Sequence, residues 1–139
     1  MTRPNQEESG ELELAIDTLR NQLQGGHPLF FDMAIDEMML HNAKNADYSK
    51  GGNPLGNFYR VSKALTSMGF KISPTMVSIV YAFKQLDAAI HMLTEGYEGD
   101  IENVDTRLRD VHVYMKLARI LHKECSKSKE VNYDAIGNL

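Results

Sequence analysis

Residues 73–95 read SPTMVSIVYAFKQLDAAIHMLTE, and the fold class turns on how that run is read. Ser73 can cap a helix with its hydroxyl, and Pro74 suits the first helical position, where its missing N–H would have no partner anyway. Apolar residues then continue to Glu95 without a turn signal or a strand-like alternation, so the run predicts one long helix. Ile79, Phe83, Leu86 and Ile90 mark the stripe expected to be buried. Lys84, Asp87 and His91 stand along its border at i, i+3 and i+7, and Asp87 falls between Met76 and Val80 on the wheel, an arrangement that points toward a cleft.

Similar signals recur outward from this helix. Upstream, Asn53 and Pro54 predict the start of a helix with Leu55, Phe58, Val61, Leu65 and Met68 inward, stopped by Gly69. Before it, a helix is expected from about Leu29 to Ala46, apolar on nearly every side. Such a helix belongs at the centre of a bundle or against a second subunit. Ser9 can cap a leading amphipathic helix carrying Leu12, Ile16, Leu19 and Leu23, ended by Gly25 and Gly26. Downstream, Asp105 can cap a helix to about Glu124 with Val111, Tyr114, Leu117, Ala118 and Leu121 buried. The expected architecture is an all-α bundle of four main helices plus the N-terminal amphipathic helix, spanning residues 9–124. Residues 1–8 are expected to be disordered and 125–139 to form a tail.

The totals fit one soluble domain. The chain has 139 residues, 42% hydrophobic and 24% charged, enough for a single core. A formal charge of −4 argues against duplex nucleic acid, which is bound through phosphate neutralisation by a basic face. The single cysteine, Cys125, rules out an internal disulfide framework, and the opening MTRPNQEESGELEL lacks a basic-then-apolar signal pattern. No membrane partner and a cytoplasmic location are expected.

Polar groups at apolar positions supply the functional candidates. Asp110 lies near the centre of the last helix's buried face, where a carboxylate must find a cation, a metal or several donors, and Arg107 is an available partner one turn earlier. Glu37 lies i, i+4 from His41 on a flank of the second helix. Carboxylates converging from facing helices make an oxygen-rich site of the kind Mg2+ accepts together with phosphate oxygens. Glu37, Asp87 and Asp110 are the candidate catalytic and metal-ligating set, beside a wholly structural explanation for each.

The corner AKNADYSKGGNPLGNFYR, residues 43–60, holds what a nucleotide site would need. Gly51 and Gly52 let main-chain amides approach an anion, and Lys44, Lys50 and Arg60 offer positive charge for phosphates. Tyr48 or Tyr59 can stack on a base, and Asn45, Asn53 or Asn57 can read its edge. The same residues also serve a plain helix-to-helix corner in which Asp47 holds backbone amides, Tyr48 plugs the core and Asn53 caps the next helix.

The run KNADYSKGGNPLGNF, Lys44 to Phe58, resembles the K-N-x-D-Y-G motif of the nucleotide modification associated domains, small helical bacterial and phage proteins. LRDVHVYMKLA, from Leu108, resembles that family's final helix, and AFKQLDAAIHML its preceding one, so the likeness spans about residues 29–122. DYS stands here in place of DYG. The helical layout is also similar to the MazG-like all-α nucleoside triphosphate pyrophosphohydrolases. Their Glu-x-x-Glu and Glu-x-x-Asp pairs are absent here: the chain reads DMAIDEMMLH around Glu37 and KQLD at Lys84 to Asp87. The resemblance implies a role in nucleotide or modified-base metabolism, with Lys44, Asn45, Asp47, Tyr48, Asn57, Lys84, Asp110 and Tyr114 as matched positions.

Two functions follow as expectations. The first is a nucleotide-binding protein, a Mg2+-dependent nucleoside phosphate hydrolase if catalytic, in which Glu37, Asp87 and Asp110 hold the metal and Lys44 or Lys84 offsets developing charge. The second is a non-catalytic phage or bacterial accessory that sequesters a nucleotide or binds a protein partner. A homo-oligomer is expected in either case, because the second helix has too few polar positions to face water.

Overall fold

The computed structural model describes residues 6–49 and 52–136, and the side chains of 8–47 and 52–128. The fold is all-α. Five helices follow in order: α1 Gln6–Gln22, α2 Pro28–Ser49, α3 Gly56–Ser67, α4 Pro74–Glu95 and α5 Val104–Ile136. No strand occurs among the described residues. The chain divides into two compact units, Met1–Lys44 and Asn45–Leu139, with the boundary inside α2.

In the first unit, Arg20 links α1 to α2. Its guanidinium donates to Asp17 at 3.0 Å and to Asp32 at 2.9 Å, and lies 5.5 Å from the centre of the Phe31 ring. These groups are solvent-exposed, so the ion pairs contribute little, ~0–1 kcal/mol each. Of the apolar stripe on the leading helix, Leu12, Leu19 and Leu23 are exposed. Ser9 is not a cap, since α1 already begins at Gln6. On α2, expected to be apolar on nearly every side, Leu29, Phe30, Met33, Met38 and Met39 are exposed.

The second unit contains the core. Leu55, Phe58, Val77 and Leu121 are buried together, with Tyr59, Val61, Ile72, Tyr81, Tyr114 and Leu117 packed around them. Phe58, Tyr81 and Tyr114 form a ring triangle with centroids 5.6–6.4 Å apart, within the range of favourable tilted and edge-to-face contacts. α4 packs along α5, and α3 packs against α4.

The termini of α3 and α4 follow from their sequences. The Ser73 hydroxyl accepts the Met76 amide at 3.1 Å and Pro74 opens α4, as the capping signal predicts. Gly69, with φ +96°, ends α3: its amide reaches the Thr66 carbonyl and the next amide, Phe70, reaches Leu65, a Schellman closure. Gly96, with φ +69°, ends α4, its amide and that of Tyr97 both reaching the Met92 carbonyl. Two starts differ from expectation. Asn53 closes a turn by accepting the Leu55 amide at 3.0 Å, so α3 begins at Gly56, beyond Pro54. Asn103 caps α5 by accepting the Thr106 amide at 2.8 Å, leaving Asp105 inside the first turn. α5 continues to Ile136, past the expected end near Glu124.

The larger difference concerns which side of α4 is inside. The buried residues are Val77, Ser78, Ala82, Ala89 and Met92. The expected stripe is turned outward in part, with Phe83 67% and Ile90 53% exposed. Ser78 and Ala89 are both 0% exposed, so side chains smaller than a leucine line the contact with α5. The Ser78 hydroxyl donates to the Tyr114 carbonyl of α5 at 2.7 Å, which satisfies the hydroxyl and holds the two helices close. Met68, expected inward on α3, is likewise exposed.

This orientation gives a direct check in urea unfolding at dilute protein. Leu121→Ala should cost about 2–5 kcal/mol through a cavity in the closed core, whereas Phe83→Ala should stay within ~0.5 kcal/mol of wild type. The opposite order would mean that α4 presents its other face to the core.

Candidate functional site

The residues named from the sequence occupy three kinds of environment. Tyr114 belongs to the core: its ring completes the Phe58–Tyr81 triangle and its carbonyl accepts from Ser78. Lys44, Asp47, Asn57, Arg60, Lys84 and Asp87 are exposed, and Asn45 is half-buried. The corner is shorter than the sequence implies, because α2 continues through Ser49 and carries Lys44, Asn45 and Asp47 on its last turns. The Tyr48 side chain, Lys50 and Gly51 lie outside the described residues.

The carboxylates separate in the same way. Glu37 is buried on α2. Asp110 is half-buried on α5, and its partner is not the expected Arg107 but the adjacent Arg109, whose Nη2 stands 3.3 Å from Oδ1. Arg107 instead bridges elements: Nη2 pairs with Glu102 at 2.8 Å and Nη1 donates to Gln85 of α4 at 2.6 Å. Asp87 is exposed on the outer side of α4, and His91, one turn further, has its ring 5.8 Å from that of Tyr97. Among the described residues there is no group of three or more His, Cys, Asp or Glu side chains that could hold a metal ion.

Tyr59 was a stacking candidate and is engaged elsewhere. Its hydroxyl donates to Glu124 Oε2 at 2.7 Å, joining α3 to α5 across sixty-five positions of sequence. That carboxylate, followed by partial burial, raises the phenol's pKa above its ordinary range, because ionisation would put two negative charges together.

What the outer side of α4 presents is apolar. Met76, Val80, Phe83, Ile90 and Leu93 are all exposed. Met76, Val80, Phe83, Asp87, Ile90 and Thr94 recur at alternating spacings of four and three, the period of a helix-packing seam. Ser78, Ala82, Gln85, Ala89 and Met92 repeat the same spacing two positions out of step, ~200° round the helix, and include the residues buried against α5. α4 thus carries two seams, of which α5 fills one. The stripe expected to be buried takes Phe83 and Ile90 from this outer seam, together with the flanking Ile79 and Leu86, and none of the small residues of the inner one.

No family model, curated protein or solved structure matches the chain.

Tyr59→Phe tests the α3 to α5 tie. Below pH ~10, the ordinary tyrosine pKa, the wild type should be more stable by about 1 kcal/mol. Since the folded pKa is raised, that advantage should fade as pH climbs through it, so urea midpoints of the two proteins should converge at high pH. An unchanged difference would place the stabilisation elsewhere.

Proposed function

We propose that the protein is a non-catalytic interaction module in which the α3–α4–α5 unit displays the outer seam of α4 to a protein partner. The observation that carries this reading is the seam itself. Phe83 and Ile90 are more than half exposed at positions whose spacing is that of a bundle core. Leaving such side chains in water forfeits roughly 1.5–3 kcal/mol per residue that burial would supply, and that surplus is available to a partner. Scattered apolar residues on a surface need no explanation, but a contiguous stripe at packing period marks an interaction site.

The chemistry of the remaining polar residues supports binding over turnover. Asp110 is compensated by Arg109, Tyr114 is committed to the core, and Asp87 stands on the seam with no metal-holding group of carboxylates around it among the described residues. A nucleotide function would draw on Lys44, Asn45, Asn57 and Arg60, whose support is their side-chain chemistry and, for all but Arg60, the sequence resemblance.

Phe83→Glu/Ile90→Glu separates these readings. The double variant should keep its helical circular dichroism and unfold within a few degrees of wild type, yet lose the self- or hetero-association of the wild type in analytical ultracentrifugation. A nucleotide panel with Mg2+ should leave the melting temperature unmoved. A variant that still associates contradicts the proposal, as does one that cannot fold. So does a nucleotide that stabilises the wild type, by ~2.7 kcal/mol at a hundred times its Kd.

A further inference from the structure

Resting on the interaction reading above, we infer that the partner of the outer α4 seam is a second copy of α4, docked antiparallel about a two-fold axis that crosses the seam between Phe83 and Asp87, at the level of Gln85. The seam is self-complementary in that direction. Antiparallel packing about Gln85 sets Val80 opposite the partner's Ile90, Phe83 opposite the partner's Asp87, and Met76 opposite the partner's Thr94. The flanking Leu86 meets the partner's Leu86, and Ile79 meets the partner's Leu93, so one flank of the pair is apolar throughout.

Charge decides the orientation. Asp87 is the single ionisable residue among the seam positions, and a parallel pairing would place it against the partner's Asp87, two like charges in a closing apolar contact. In the antiparallel pairing Asp87 approaches Phe83 of the other copy, and the residue beside Phe83 is Lys84. On that flank the two Lys84 side chains approach each other across the axis, each within reach of the partner's Asp87, so the two ammonium groups and two carboxylates form a symmetric charge-balanced cluster beside the aromatic centre. Both side chains are exposed in the single chain and available for this exchange. A polar residue at one seam position, matched only in one register, is also the device by which helical pairs fix orientation and copy number.

The size is adequate. Residues 76–94 give a contact ~27 Å long. The five exposed apolar side chains offer on the order of 500 Å2, the upper end of what a monomer shows in one patch. The flanking polar side chains bring the buried surface toward the ~800 Å2 per partner of a standard interface.

The test is a mixing experiment by sedimentation equilibrium on the full chain. Wild type should sediment at twice 15.7 kDa. Lys84→Glu puts a carboxylate against the partner's Asp87, and Asp87→Lys puts an ammonium group against the partner's Lys84. Each variant alone should therefore dimerise more than tenfold more weakly while keeping wild-type helix content. Mixed one to one, the two variants carry complementary charges across the interface and should recover the dimer. A Lys84–Asp87 pair within one helix would gain nothing from mixing, so the absence of recovery overturns the inference. If wild type associates and Phe83→Glu/Ile90→Glu abolishes it, yet mixing restores nothing, the antiparallel pairing is wrong and the interaction reading stands. Dimers that survive in the Phe83→Glu/Ile90→Glu variant refute both, and a wild type that stays at 15.7 kDa refutes the self-pairing.

Discussion

The close approach of α4 to α5 through small side chains constrains the rest of the second unit. Ser78, Ala82, Ala89 and Ala118 are all buried small side chains, and the Ser78 hydroxyl secures the contact of the two helices on the Tyr114 carbonyl. With that side of α4 occupied by residues that need little room, the large side chains of the core gather where α3 joins the pair. There Phe58, Tyr81 and Tyr114 interlock above Leu55, Val77 and Leu121. The remaining large residues of α4 are left on the outside. An exposed apolar seam is thus the geometric consequence of a tight, small-residue interface on the opposite face.

The helical class and most element boundaries were readable in the sequence because their causes are local. Ser73 with Pro74 starts α4, and the glycines at 69 and 96 stop their helices by adopting positive φ. Boundaries shifted where a neighbouring side chain served better: Asn103 rather than Asp105 caps α5, and Asn53 closes a turn before α3. The buried face of α4 was not readable. Hydrophobicity ranks Phe83 and Ile90 above Ser78 and Ala82, whereas close helix packing selects for small volume, and a helix apolar on several sides gives periodicity no single direction to point.

The candidate site was legible only as an inventory. Asp110 belongs by periodicity to the buried side of α5, and half-buried it is, but the choice of Arg109 over Arg107 rests on Arg107 being drawn to Glu102 and Gln85. Tyr114 stands out as part of a motif, and its part is in core packing. Tyr59 stands out as an aromatic beside glycines and asparagines, and its hydroxyl is held by a residue far along the chain, a pairing that no local pattern encodes. Lys84 and Asp87 stand out as a polar pair on the border of an apolar stripe. They keep their interest on the exposed seam, where they change from groups facing a cleft to groups that can select an orientation.

The central claim, that α4 faces α5 with its small residues and the solvent or a partner with its large ones, is tested most directly by the two methionines on its opposite sides. Methyl-labelled protein should be recorded by NMR with a soluble paramagnetic probe, at concentrations low enough to keep the chain monomeric. The Met92 methyl, buried against the core, should keep its intensity while that of Met76 is broadened. Broadening of Met92 with protection of Met76 would contradict the account.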